Sequence, residues 1–170
     1  MRYHYCPVCG QKLNEKVAGD DGNVPFCTHC NKYWFDGFAS CVIVLVYNEY
    51  NEIVLCRQGY LSDQYTSFTS GYIMPGETAE ETAVREVKEE LGLDIQTLEY
   101  AGTYWFAQRE QLMHGFLSYV PKAKLVISDE IDSAQWTPAE DVTKTLFPDA
   151  PGNAAYAIYR IYMKNRNLSL

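Results

Sequence analysis

Several things are missing from these 170 residues, and each absence narrows the reading. No apolar run approaches the roughly 20 residues that a membrane-spanning helix needs. The first ten residues, MRYHYCPVCG, hold no apolar signal core, which points away from secretion and makes the cytoplasm the expected compartment. Basic residues are few, 14 against 22 acidic, for a net charge of −8. That excludes a domain-wide basic footprint for nucleic acid, and strong nucleic-acid binding is not expected. No internal repeat or low-complexity tract breaks the chain. What remains is a globular chain, 47% hydrophobic, long enough for one domain plus a small appendage.

The excess negative charge is not spread evenly. Residues 1–37 carry four basic and four acidic groups, a net of zero. Residues 77–94 carry seven acids against Arg85 and Lys88, a net of −5. Five of the eight excess charges therefore fall in eighteen residues, a concentration that calls for a physical cause.

Four of the six cysteines form two pairs, Cys6-Pro-Val-Cys9 and Cys27-Thr-His-Cys30, with 17 residues between the pairs. Two residues between thiolates let both sulfurs of a tight turn reach one metal, and the overall spacing is that of a four-cysteine zinc ribbon. Gly10 stands where such a turn often needs positive φ. Four thiolates close a tetrahedral shell, so the expected role is structural, with one Zn²⁺ per chain. Iron in the same shell, or two disulfides, are the alternatives; His29, inside the second knuckle, is expected to be a bystander. Cys41 and Cys56 lie in apolar runs and read as core. These observations set a ribbon over residues 1–36 and a second domain over 37–170.

In that second domain, 41–47 and 53–57 read as a hairpin, with a strand near 65–70, aromatic strands at 98–107 and 112–120, a short one near 124–127, and another ending at Trp136. Ala79, Ala83, Val87 and Leu91 recur at helical spacing over 78–91, with Gly92 as the stop. Pro138 suits the first turn of a short helix to about Leu146, and a last helix is expected over 152–165, with Ala155, Ile158, Tyr159, Tyr162 and Met163 on its apolar side. Strands and helices mix without βαβ alternation, which favours the α+β class.

On the helix 78–91, Glu86 and Glu90 are four residues apart and share a face that Glu89 borders. Like charges at that spacing repel, unless a hard divalent cation such as Mg²⁺ or Mn²⁺ lies among them. The whole segment, GYIMPGETAEETAVREVKEELGL over 71–93, resembles the Nudix box of the Nudix hydrolase family at every fixed position: Gly71, Glu77, Arg85-Glu86-Val87, Glu89-Glu90 and Gly92-Leu93. The resemblance implies an α/β/α sandwich around a mixed sheet. It also implies a divalent-metal-dependent pyrophosphohydrolase in which Glu86, Glu90 and Glu89 bind Mg²⁺ or Mn²⁺ or activate water. The Gly71 carbonyl would join the metal shell, and Arg85 would pair with Glu77 to orient the glutamates.

A zinc ribbon directly before such a domain is similar to the NADH pyrophosphatase subgroup. That similarity implies a small-molecule dinucleotide substrate such as NAD(H), cleaved to NMN(H) and AMP, and a homodimer. It implies aromatic contacts to a flat ring from Phe35 and Tyr72, and an additional ligand or base at Glu130, six residues before Trp136. The subgroup's SQPWPFP signature is replaced here by Thr103-Tyr104-Trp105-Phe106-Ala107-Gln108-Arg109, in which Phe106 keeps an aromatic candidate for substrate binding. The altered signature leaves FAD, ADP-ribose, diadenosine polyphosphates and NAD-capped RNA open as substrates. A reading of another class, a zinc-ribbon recognition module with an inactive Nudix domain, is opposed by the complete set of box carboxylates.

Overall fold

The computed structural model describes residues 3–168, so the outermost residues of both expected domain ranges lie outside it. The chain divides into two compact units, one ending at Phe38 and one beginning at Ala39.

The first unit is a three-stranded antiparallel sheet, β1 (Asn14–Val17), β2 (Asn23–Cys27) and β3 (Lys32–Tyr33), in the order β1-β2-β3. Val24, Phe26, Cys6 and Cys27 are buried. So small a core gains little from apolar burial alone, and units of this size usually need a cross-link or a metal. Lys16 lies over the Phe26 ring at 4.1 Å and Lys32 over Trp34 at 4.5 Å, which commits two of the unit's lysines to aromatic faces.

The second unit is a six-stranded mixed sheet between two helices. Its strands are β4 (Ala39–Tyr47), β5 (Glu52–Arg57), β6 (Thr69–Tyr72), β7 (Thr97–Phe106), β8 (Gln111–Tyr119) and β9 (Ser133–Pro138), in the order β7-β8-β4-β5-β9 with β6 pairing β4. β4 runs parallel to β8 along its whole length. On its other side it meets β5 only at Tyr47–Ile53, then β6 along Cys41–Val44.

The continuous apolar run of β4 is explained by burial on both faces. Val42, Val44 and Val46, with Val54 and Cys56 of β5, pack under α1 (Ala79–Leu91) against Ala83, Val87 and Leu91. Ile43 and Leu45, with Ile53 and Leu55, face α2 (Ala154–Asn165) through Ala155, Ile158, Tyr159, Tyr162 and Met163. Each fully buried aliphatic side chain contributes about 1.5–3 kcal/mol, so the two clusters hold the sandwich. This is the expected α/β/α arrangement of the α+β class. Cys41 and Cys56 are buried in it, and burial pushes their thiols up to about 11 and about 12, so both stay protonated at neutral pH.

One local expectation is corrected. Residues 124–127 form no strand: Val126 N–H donates to Leu91 O and Ser128 N–H to Glu90 O, so this segment satisfies the terminal carbonyls of α1 instead of pairing in the sheet. The short helix expected after Pro138 is present, as a 3₁₀ helix over Ala139–Lys144. Among the described residues no helix is long and apolar enough to cross a membrane.

Candidate active site and cysteine cluster

The acidic helix is fixed at both ends. Thr78 caps it by accepting from Glu81 N–H at 3.2 Å, while the Glu81 carboxylate accepts from Thr78 N–H at 2.8 Å. Such a box contributes about 1 kcal/mol and sets where the first turn begins. At the other end Gly92 takes φ +70°, and its N–H donates to Lys88 O. With the ends set, Ala83, Val87 and Leu91 face the sheet, and Glu86 and Glu90 fall at the border of that buried face.

Arg85 organises the exposed side. Its Nε donates to Glu77 Oε1 at 2.7 Å and its Nη2 to Glu77 Oε2 at 2.9 Å, a bidentate pair. Nη2 also reaches the Tyr72 carbonyl at 3.1 Å, and Nη1 reaches Glu86 Oε1 at 2.7 Å and Glu89 Oε2 at 3.1 Å. Glu77 accepts further from Thr82 Oγ1–H and Met74 N–H. The Arg85 guanidinium, with those bonds, holds the Glu77 carboxyl down to about 2. One guanidinium thus ties the loop after β6 to the middle of α1.

Glu90 has the opposite environment. It is 2% exposed, and burial, with the neighbouring charge of Glu86 second, raises its carboxyl to about 8. Burial also raises Glu86, though the Arg85 pair opposes that shift. Glu90 Oε1 accepts from Gln58 Nε2 at 3.2 Å, and its Oε2 is buried with no hydrogen-bond partner. Glu89 is mostly exposed. Glu130 sits in an exposed turn beside Ser128, near enough for its charge to add to the upward shifts of both Glu86 and Glu90.

Gly71 makes room for this chemistry. A Cβ there would lie 1.9 Å from Glu86 Oε1, so the carboxylate rests directly on the β6 backbone. An orphaned buried carboxylate oxygen, a second carboxylate against a bare glycine and further carboxylates at the rim form an all-oxygen donor set, which fits a hard divalent cation. The carboxylates do not converge tightly. Among the described residues only the four cysteines bring three or more ligand atoms within 4.8 Å of one another. Three carboxylates drawn to one point would repel, and the Arg85 guanidinium bridging Glu86 and Glu89 relieves that repulsion at a wider spacing.

The aromatic candidates are placed as follows. Tyr72 is 55% exposed at the end of β6, with its hydroxyl accepting from Gln111 Nε2 at 2.7 Å. Phe106 is partly buried at the end of β7, in register with Gln111. Phe35 belongs to the first unit, where it is 54% exposed beside Tyr33. Sequence reasoning missed Gln58 and Thr82, which bond directly to candidate site carboxylates.

In the first unit Cys6, Cys9, Cys27 and Cys30 are free thiols. Cys6 and Cys30 Sγ are 3.9 Å apart, and Cys9 and Cys27 Sγ 3.5 Å. Disulfide sulfurs would sit at about 2.0 Å, so the disulfide alternative does not hold. A tetrahedron with metal–sulfur bonds of about 2.3 Å has edges of about 3.8 Å, which matches both separations. Gly10 takes φ +72° after the first knuckle. His29 Nδ1 lies 3.8 Å from Cys30 Sγ but is outside the four-sulfur group.

The NUDIX domain family matches residues 37–158. An NAD-capped RNA hydrolase, NudC, of Pseudomonas syringae pv. tomato (strain ATCC BAA-871 / DC3000) is 30% identical over 169 residues, covering 97% of this chain and 57% of that protein. The protein of the same name from Pseudomonas putida (strain GB-1) is 29% identical over 160 residues, covering 94% and 55%. The chain therefore spans a little over half the length of these curated relatives. Among solved structures, a NUDIX hydrolase from Nitrosomonas europaea superposes with a TM-score of 0.74 at 16% identity, covering 97% of this chain and 93% of that one. The NUDIX domain of Shewanella oneidensis NrtR, solved with ADP ribose, gives a TM-score of 0.64 at 14% identity, covering 77% and 90%.

Proposed function

The chain belongs to the NUDIX family, and we propose that it hydrolyses the pyrophosphate bond of an NAD(H)-like dinucleotide, releasing NMN(H) and AMP. The observation that carries this reading is the Glu90 carboxylate, buried with one oxygen unpartnered, beside a Glu86 carboxylate that rests on Gly71. The substrate class is supported by similarity to NAD-capped RNA hydrolases that runs through 97% of the chain, cysteine unit included. An NAD-capped RNA end presents the same pyrophosphate and is the second substrate form. With the chain at net −8, recognition of such an end would rest on the cap rather than on the following phosphates.

In this reading Glu86, Glu89, Glu90 and the Gly71 carbonyl hold Mg²⁺ or Mn²⁺, with Glu130 as a further ligand or the water-activating base. A divalent cation bound there supplies charge neutralisation at the pyrophosphate and a lowered pKa for the attacking water. Arg85, locked to Glu77, fixes the loop and leaves Glu86 and Glu89 a defined range of positions. Tyr72, its hydroxyl held by Gln111, and Phe106 offer ring faces to a flat base, and Phe35 is the corresponding candidate in the first unit. The cysteine cluster holds one structural Zn²⁺ and takes no part in the chemistry, because four thiolates leave no open position.

The test is a panel containing NADH, NAD⁺, FAD, ADP-ribose, a diadenosine polyphosphate and NAD-capped RNA, each with Mg²⁺ or Mn²⁺. NADH or the capped RNA should turn over fastest, and no turnover of any member refutes the reading. The homodimer expected from the subgroup is tested by light scattering, where a mass of 19.4 kDa removes it.

A further inference from the structure

Gln58 is not part of the box, and nothing so far gives it a role. It follows β5 directly, and its parity is informative. Val54 and Cys56 point to the α1 side of the sheet, and Gln58 continues that alternation onto the same side. A polar residue is thereby carried under α1, where it is 4% exposed. Its Nε2 donates to Glu90 Oε1 at 3.2 Å. The backbone around it is held on both sides. Leu61 N–H and Ser62 N–H both donate to Gln58 O, and Gly59 N–H donates to the Asp132 carboxylate.

Gln58 and Glu90 also share a deficit. Gln58 Oε1 and Glu90 Oε2 are two of only three buried side-chain polar atoms without a partner among the described residues, and the third, Trp34 Nε1, is in the other unit. A buried acceptor left unmade costs about 1–3 kcal/mol, so two on adjacent side chains point to something that pairs with both. The amide presents its NH₂ to Glu90 and turns its oxygen away, the orientation that suits the carboxylate once a cation has displaced its proton, since an ionised carboxylate only accepts.

Resting on the proposed cation at Glu90, we infer that Gln58 is a positioning residue for it. Its amide N–H pins Glu90 Oε1 so that Oε2 is the ligand oxygen, and its own Oε1 accepts a hydrogen bond from a water that the cation carries. Mg²⁺ and Mn²⁺ sites keep several waters, so such a donor belongs to the chemistry of the site. Outer partners of this kind typically change metal affinity by about 10- to 100-fold.

The experiment titrates Mn²⁺ alone into wild type, Gln58→Met, Gln58→Asn and Glu90→Gln, reading free Mn²⁺ by electron paramagnetic resonance. Met keeps the length and removes both polar atoms; Asn keeps an amide but withdraws it by one methylene. Both should bind Mn²⁺ about tenfold or more weakly than wild type. The Mn²⁺ concentration for half-maximal turnover should rise in parallel, while KM for the dinucleotide at saturating Mn²⁺ stays put. Wild-type Mn²⁺ affinity in either folded variant overturns the inference, as does failure of both to fold, which would make Gln58 a packing residue. If Glu90→Gln binds Mn²⁺ as wild type does, the cation assignment itself has failed.

Discussion

Glu90→Gln should make the Mg²⁺- and Mn²⁺-free protein more stable in alkali while removing its response to the cation. In the folded protein the Glu90 carboxyl is raised from its ordinary 4.5 to about 8, with burial as the main cause. Between those values the folded state binds more protons than the unfolded one. The contribution is therefore complete below about pH 4.5 and is lost as pH rises through about 8. At about 1.4 kcal/mol per pKa unit the limit is about 5 kcal/mol; relaxation and water entry around a buried charge make about 2–3 kcal/mol the expected loss. Glutamine keeps the shape and carries no charge at any pH, so the variant lacks this slope. The assay is urea unfolding of both proteins at about pH 5 and about pH 8.5, with no added Mg²⁺ or Mn²⁺. Strong chelators must be avoided, since they would also strip the zinc proposed for the cysteine cluster. The stability gap, variant minus wild type, should widen by about 2–3 kcal/mol from the acid to the alkaline condition. Adding Mn²⁺ at about 100 times its dissociation constant should then stabilise wild type by about 2.7 kcal/mol and leave the variant unchanged. A gap that does not change with pH, or equal stabilisation of both proteins by Mn²⁺, would refute the reasoning.

Other outcomes follow from the same geometry. Gly71→Ala puts a Cβ where Glu86 Oε1 now lies, and the flexible carboxylate is what yields; the protein should fold, with kcat/KM lowered about 100-fold in a steady-state assay, and wild-type turnover would refute the cradle. Arg85→Lys keeps the charge but cannot bridge Glu77, Tyr72 O, Glu86 and Glu89 together, so kcat should fall about 10- to 100-fold; equal activity would show that charge alone suffices. Glu77, held down to about 2, contributes stability that is present above its ordinary pKa and lost as pH falls toward 2, so acid unfolding of Glu77→Gln should lack that component. Cys27→Ser should release about one zinc per chain and raise hydrogen exchange in β1–β3 while the second unit's amides stay protected. Uniform loss of protection across both units would contradict the division at Phe38.

How much of this was legible in the sequence depends on how local the signal is. The box helix was legible because its apolar residues recur every fourth position and its ends are written in residue types. Gly92 marks the stop, and Thr78 with Glu81 has the residue types of a capping box. The knuckle spacing likewise specified four converging sulfurs, since two intervening residues leave few geometries. The segment 124–127 departs from the expected strand because alternation in so short a stretch cannot tell a strand from an extended strap, and the partner that decides, the end of α1, is more than thirty residues away in sequence. Gln58 escaped for a related reason. Its importance lies in the bond to Glu90, 32 positions on, and a glutamine after a strand reads as loop unless the parity of Val54 and Cys56 is carried one step further.

The local charge excess also takes a definite physical form. Glu77 and Glu90 are the same residue type at the two ends of one segment, and their surroundings drive them in opposite directions, to about 2 and about 8. Glu77 meets a bidentate guanidinium, two further donors and solvent, so it is an anion at neutral pH. Glu90 is buried beside Gln58, Thr69 and Ser70 of β6 and the charge of Glu86, so at neutral pH it shares its site with a proton unless a cation takes that proton's place. In the proposed site a proton and a divalent cation would compete for one buried oxygen. Cation affinity should therefore rise with pH up to about 8, with a slope near one proton per site, and then level. A Mn²⁺ titration across that range measures this directly. A slope of zero would place the cation on Glu86 and Glu89 alone and leave Glu90 a neutral acid.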